Sequence, residues 1–195
     1  SRPHLTQDLT FALAKVVSEL PAVLSRRVDP RAGLSVVWGS IHAGGASNVI
    51  PASGIAAGTL RCLDAAVWRG AEPLVREALT AIVAPYAVSA EVRYTPGVPP
   101  VVNHAHGVEV LRDAVGRSGA VERPVPQSLG GEDFAWYLTR IPGALARLGT
   151  RTPGGTTYDL HQGDFTVDER AVAGGARVLS EAVVAAVTRA RESGR

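Results

Sequence analysis

Cysteine is nearly absent: Cys62 is the single thiol in 195 residues. That excludes an intramolecular disulfide and a cysteine-built zinc cluster, and it fits a reducing compartment. Long apolar runs are missing as well, the stretches breaking off short of the roughly 20 residues a bilayer span needs. The opening SRPHLTQDLT has no apolar core behind a basic stretch, so nothing in it resembles a signal peptide. The expectation is a cytoplasmic protein with no membrane partner. Charge of one sign is not concentrated either. The 20 basic and 18 acidic residues are mixed along the chain for a net +2, which reads as a solvated surface and excludes nucleic acid as the expected partner. There is no G-x-S-x-G elbow, no phosphate-cradling G-x-x-x-x-G-K-[ST] loop and no strand-bound G-x-G-x-x-G fingerprint. What is present is an ordinary globular composition, 46% hydrophobic and 19% charged, enough to build a core.

The hydrophobic spacing orders the first half. LTQDLTFALAKVVSELPAVLSRR repeats Leu9, Leu13, Val16, Val17, Leu20 and Leu24 at helical spacing, with Thr6 as a candidate N-cap and Pro21 expected to kink or split the helix. GLSVVWGSIHAGG predicts a strand ending at paired glycines, and NVIPASGIAAGTLRCLD a turn and a second strand. AAVWRGAEPLVREALTAIV is again helical, and the alternation of Val88, Ala90, Val92 and Tyr94 with polar residues predicts a half-buried third strand. Helix, strand, strand, helix, strand is the order of a ferredoxin-like split unit that lacks its first strand. TPGVPPVVN, residues 95–103, breaks the pattern as a domain boundary. Beyond it the sequence predicts a helix around 106–117, the segment SLGGEDFAWYLTRIPG, a strand near 143–149, and a long terminal helix with Val172, Leu179, Val183 and Val187 roughly on one side.

Several residues could carry chemistry, and each has a plainer reading beside it. His161 in LHQGDF is a candidate metal ligand on a loop, or a solvated loop histidine; no H-x-x-x-H partner lies nearby. Asp159 has spacing compatible with orienting that imidazole. In GGEDFAWY, Gly130 and Gly131 can let a backbone approach an anion where a helix begins, with Glu132 and Asp133 in its first turn; a well-capped helix accounts for the same residues. Asn48 suits a turn. Arg61 shares a strand face with Ile55, Ala57 and Thr59, and either marks the sheet margin or awaits a carboxylate for its planar fork. His104 and His106 read as solvated residues at a helix start behind a capping Asn103.

In order along the chain, RPHLTQD, NVIPASGIAAGTLR, YTPGVPPVVN, GGEDFAWYL and LHQGDFTVDE resemble the back half of the metal-dependent N-acyl-amino-acid amidohydrolases, the hippurate hydrolase, indole-acetyl-amino-acid hydrolase and aminoacylase group. The resemblance implies an α/β (α+β) chain. Residues 1–100 would be a ferredoxin-like satellite domain that dimerises, and 101–195 the C-terminal part of an α/β metallopeptidase catalytic domain. It implies that His161 is a metal ligand, that Asn48 and Arg61 bind substrate with Arg61 on the free carboxylate, and that Gly130, Gly131, Glu132 and Asp133 form a loop at the active-site wall. Arg2, Pro3 and His4 match the start of the satellite helix. Two divalent metals per site (zinc, manganese, cobalt or nickel), a small N-acyl amino acid substrate and a homodimer follow from the same resemblance.

The departures are equally specific. The family's Cys-Gly-His-Asp segment, its Glu-Glu pair with the general base, and a further histidine are missing from this sequence. No catalytic residue is therefore assigned, and the 195 residues alone are expected to be inactive. A non-catalytic dimerisation or binding module, or an inactive remnant, is the rival reading, and a serine or cysteine hydrolase a third.

Overall fold

The computed structural model describes residues 2–193 and is a mixed helix-and-sheet fold. It divides into two compact units. The first runs to Pro100 and adds Ser128–Glu132; the second holds Val101–Gln127 and the residues from Asp133 onward.

In the first unit, α1 (Leu9–Arg27) and α2 (Ala65–Val83) cover one face of an antiparallel pair, β1 (Ser35–Ala43) and β2 (Gly54–Arg61). The buried centre is Leu20 and Leu24 of α1 against Val75 and Ala78 of α2, flanked by Val36 and Trp38 of β1 and Leu60 of β2. Leu24 is 1% exposed, and burial of such a side chain stabilises by about 1.5–3 kcal/mol. Asp8, not Thr6, caps α1, its carboxylate accepting from the Phe11 N–H at 3.0 Å. Arg2, Pro3 and His4 lie outside α1: Pro3 and His4 belong to a separate 3-10 turn at Pro3–Leu5, and Arg2 precedes it.

Pro21 does not split α1, which runs unbroken past it. A proline ring has no N–H for the carbonyl four residues earlier, here Val17, and the Trp38 indole N–H donates to that oxygen at 3.0 Å. A strand side chain thus replaces the missing helical bond. The expected third strand is also corrected: residues 88–94 are unpaired, and although Val88, Val92 and Tyr94 are half-buried, Ala90 is exposed and breaks the alternation. In a split β-α-β sheet the last strand pairs with the first, and among the described residues none forms that first strand. The Val92 carbonyl instead accepts from Arg76 at 2.8 Å.

In the second unit, α3 (Ala105–Ser118) packs on α5 (Arg170–Ser193), and α4 (Phe134–Leu138) is a single short turn of helix. Val110 and Ala114 of α3 and Ala185 of α5 are buried. Arg189 bridges the helices, donating to Asp113 at 3.1 Å and to Glu109 at 3.0 Å. Two further expectations fail here. No strand forms at 143–149; the segment is clipped instead by Asn103, whose amide donates to the Leu145 carbonyl at 2.9 Å and accepts from the Leu145 N–H at 2.8 Å. Asn103 is thereby occupied and does not cap α3, where His104 holds the N-cap position. The large apolar stripe of α5 is also not its buried side: Val172, Leu179 and Val183 are 71%, 66% and 65% exposed. α5 turns inward the line Ala171, Gly174, Val178, Ala182, Ala185 and Arg189, at spacings of three and four, because small residues let two helices approach closely. By length and mean hydropathy alone, Arg170–Glu192 is also long and apolar enough to cross a membrane, which corrects the expectation that no stretch is.

Candidate functional site

Arg61 ends β2 and pairs with Ser35 across the ladder. Leu60 packs inward on the helices and Cys62 is buried, so Arg61, Thr59, Ala57 and Ile55 occupy the opposite, outer face, as the alternation predicts. The Arg61 guanidinium is held by one bond, Nη1 donating to the Leu129 carbonyl at 2.8 Å. Leu129 belongs to the short Ser128–Glu132 segment, which is braced by the Gly130 N–H donating to the Ser128 hydroxyl at 3.0 Å. A Cβ at Gly131 would lie 3.0 Å from Val98 Cγ2 and 3.8 Å from Arg61 Nη1, so glycine there lets the backbone approach both. Arg61, Gly130 and Gly131 are therefore brought together, with Glu132 exposed in the same segment. With Nη1 anchored, Nε and Nη2 remain as the parallel donors that a carboxylate accepts from in bidentate fashion.

Asn48 is not part of this cluster. It lies exposed in the loop between β1 and β2, beyond Gly54 at the far end of β2. Seven steps of about 3.3 Å put Gly54 and Arg61 about 23 Å apart, farther than one amino acid reaches. Glu132 and Asp133 precede α4 and do not sit in its first turn, and the Asp133 side chain makes no capping bond. Gly130 and Gly131 likewise stand outside the helix, and the Gly130 N–H is already used.

His161 is exposed in the second unit, and its backbone is left-handed, with φ 67°. That region costs a side-chain-bearing residue strain. Among the described residues no hydrogen bond joins Asp159 to His161, and no group of three or more His, Cys, Asp and Glu side chains could hold a metal ion. The residues present therefore do not by themselves fit a dinuclear centre. His104 and His106 are exposed at the start of α3, as expected. Cys62 is 8% exposed and burial pushes its thiol above the usual value, the opposite of what a nucleophilic thiolate requires. The cysteine-hydrolase reading gains nothing from it.

Sequence reasoning missed Leu129 and Ser128, which orient Arg61 across 68 positions of chain; a backbone carbonyl leaves no signature in side-chain pattern. It also missed Asp168, which opens α5: its carboxylate accepts from the Arg170 backbone N–H at 3.0 Å and from the Arg170 side chain, and these bonds hold it down at about 2.

The fold and site define a mixed α/β chain that carries an arginine fork on an open sheet face. Residues 7–185 match the model of peptidase family M20/M25/M40, and the chain belongs to that family. It is 45% identical over 181 residues to a Rhodococcus jostii (strain RHA1) protein named for a glutamate–cysteine ligase, covering 92% of this chain and 23% of that one. It is 32% identical to the N-acetyl-L-cysteine deacetylase of Bacillus subtilis (strain 168), covering 87% of this chain and 40% of that enzyme. Among solved structures, a dinuclear metal binding peptidase of the M20 family from Bacillus subtilis superposes with a TM-score of 0.75 at 28% identity, covering 91% of this chain and 46% of its own. The chain thus spans less than half the length of each of these relatives.

Proposed function

We propose that this chain is part of a hydrolase that cleaves the amide bond of N-acyl or N-aroyl amino acids, and that Arg61 receives the amino acid's free carboxylate. The observation that carries the reading is the Arg61 fork, oriented by the Leu129 carbonyl beside Gly131 with two parallel donors to spare. Fixing the carboxylate converts binding energy into placement of the scissile amide. Gly130, Gly131 and Glu132 line that same place. Among amino acids, cysteine is favoured: one relative is named as the deacetylase of N-acetyl-L-cysteine and another for a ligase that joins glutamate to cysteine.

His161 is proposed separately as one ligand of a divalent metal, zinc, manganese, cobalt or nickel, whose other ligands this chain does not supply; alone, the 195 residues are inactive. Asn48 serves the substrate held by a second copy, because its own Arg61 lies a strand's length away, and residues 1–100 form the homodimer that this requires. The protein is placed in the cytoplasm. The test is turnover by the metal-loaded full-length protein, with N-acetyl-L-cysteine and hippurate as substrates. Arg61→Ala is expected to lower kcat/KM roughly a hundredfold, mainly through KM, the loss of a bidentate charged contact. Equal loss for the carboxylate substrate and its carboxamide would sink the reading.

A further inference from the structure

Arg61 is flanked on its own face by two hydroxyls that the reading above leaves unused. Ser35 is its partner across the antiparallel ladder, and directly opposed residues carry their Cβ atoms about 4.5–5.5 Å apart on one face. Thr59 stands two residues earlier on β2, about 7 Å along the strand and on the same side. The inward residues on either side fix this placement: Leu34 and Val36 flank Ser35 and pack on the core, as Leu60 does between Thr59 and Arg61. Among the described residues, neither the Ser35 nor the Thr59 hydroxyl has a hydrogen-bond partner, although Ser35 is half-buried. Both hydroxyls stand on the sheet face from which the Arg61 stem rises, and neither is committed to another described protein group.

We propose that Ser35 and Thr59 are specificity-determining residues that donate to the substrate carboxylate bound by Arg61. The inference rests on the Arg61 reading. A carboxylate has about four lone-pair positions. The Nε and Nη2 donors of Arg61 take two, the outer pair of a side-on approach, and two hydroxyls on the sheet face beneath can take the remainder. A carboxamide of the same shape offers one oxygen in place of two, and its NH₂ group would meet the guanidinium donor to donor. To serve the amide the hydroxyls would have to turn from donating to the second oxygen to accepting from its NH₂ group, so the pair adds to the choice of a free acid that one arginine on an open surface makes only coarsely.

The experiment compares N-acetyl-L-cysteine with its carboxamide as substrates of the metal-loaded full-length protein, in wild type, Ser35→Ala/Thr59→Val, Ser35→Thr/Thr59→Ser and Arg61→Ala. The apolar double variant is expected to raise KM for the acid about tenfold, with kcat and the KM of the amide within twofold. The hydroxyl-retaining double variant keeps the wild-type ratio, which separates loss of donors from damage to the strand ends. If Arg61→Ala abolishes the preference for the acid but the apolar double variant preserves it, the hydroxyl assignment is wrong and the Arg61 reading stands. If Arg61→Ala leaves the preference intact, both fall.

Discussion

At the scale of single residues, the two candidate positions are held in opposite ways. Arg61 sits in regular strand geometry and is steered by one carbonyl, whereas His161 occupies a backbone region that L-residues enter at a cost. His161→Gly should relieve that cost, raising the unfolding free energy of the chain by about 0.5–1 kcal/mol in urea melts. The same change should lower metal retention by the full-length protein. A variant less stable than wild type would show that the left-handed backbone is not strained. Gain of stability on loss of a side chain is the pattern expected where a residue is kept for binding.

At the scale of elements, α1 depends on a residue outside itself. Trp38→Phe leaves the Val17 carbonyl without its donor and should cost about 1–3 kcal/mol. In a Pro21→Ala background the helix recovers its own N–H for that oxygen, so the same Trp38 change should cost about 1 kcal/mol less, read from a double-mutant cycle of denaturation curves. Simple additivity would mean that the indole bond does not stand in for the helical bond that Pro21 removes. At α5 the sign of the pH effect follows from the Asp168 carboxyl, held at about 2 against an ordinary 3.8. A depressed carboxyl adds stability that is complete above its unfolded value and is lost as pH falls through the folded one. The start of α5 should therefore loosen between about pH 4 and pH 2, and Asp168→Asn should remove that acid limb from the melting profile. These elements also mark how far the sequence could be read. α2 emerges over the same residues its apolar spacing predicts, because that spacing reports a buried stripe directly. The strands expected at 88–94 and 143–149 do not form, because alternation reports which side chains are buried and not whether a neighbouring strand exists.

For the whole molecule, the separation of Asn48 from Arg61 makes a prediction about copies. If each site takes its Asn48 from a second copy, Asn48→Ala and Arg61→Ala homodimers should both be weakened in N-acetyl-L-cysteine hydrolysis. Mixing the two full-length variants should restore activity, since one site of each heterodimer is then intact. Persistent inactivity of the mixture would place both residues in one chain's site. Exposure also decides which substitutions the chain tolerates. Leu179→Glu and Val183→Glu should shift the unfolding free energy of the 195-residue chain by no more than about 0.5 kcal/mol, since both side chains are already exposed. A loss of several kcal/mol would mean that these side chains are packed in solution.

By itself the sequence determined the helices with strong apolar spacing, the strand pair, the outward face of Arg61 and, through five ordered motifs, the family, which the match over residues 7–185 bears out. These are local properties: period, turn chemistry and residue type along a short stretch. Only the tertiary structure decided that Trp38 completes a helix interrupted by Pro21, that α5 buries its small residues and leaves its large ones outside, and that Arg61 meets Leu129 and Gly131 while Asn48 lies a strand away. Each depends on partners distant in the chain, and several of them are backbone atoms, which every residue carries alike and no sequence pattern distinguishes.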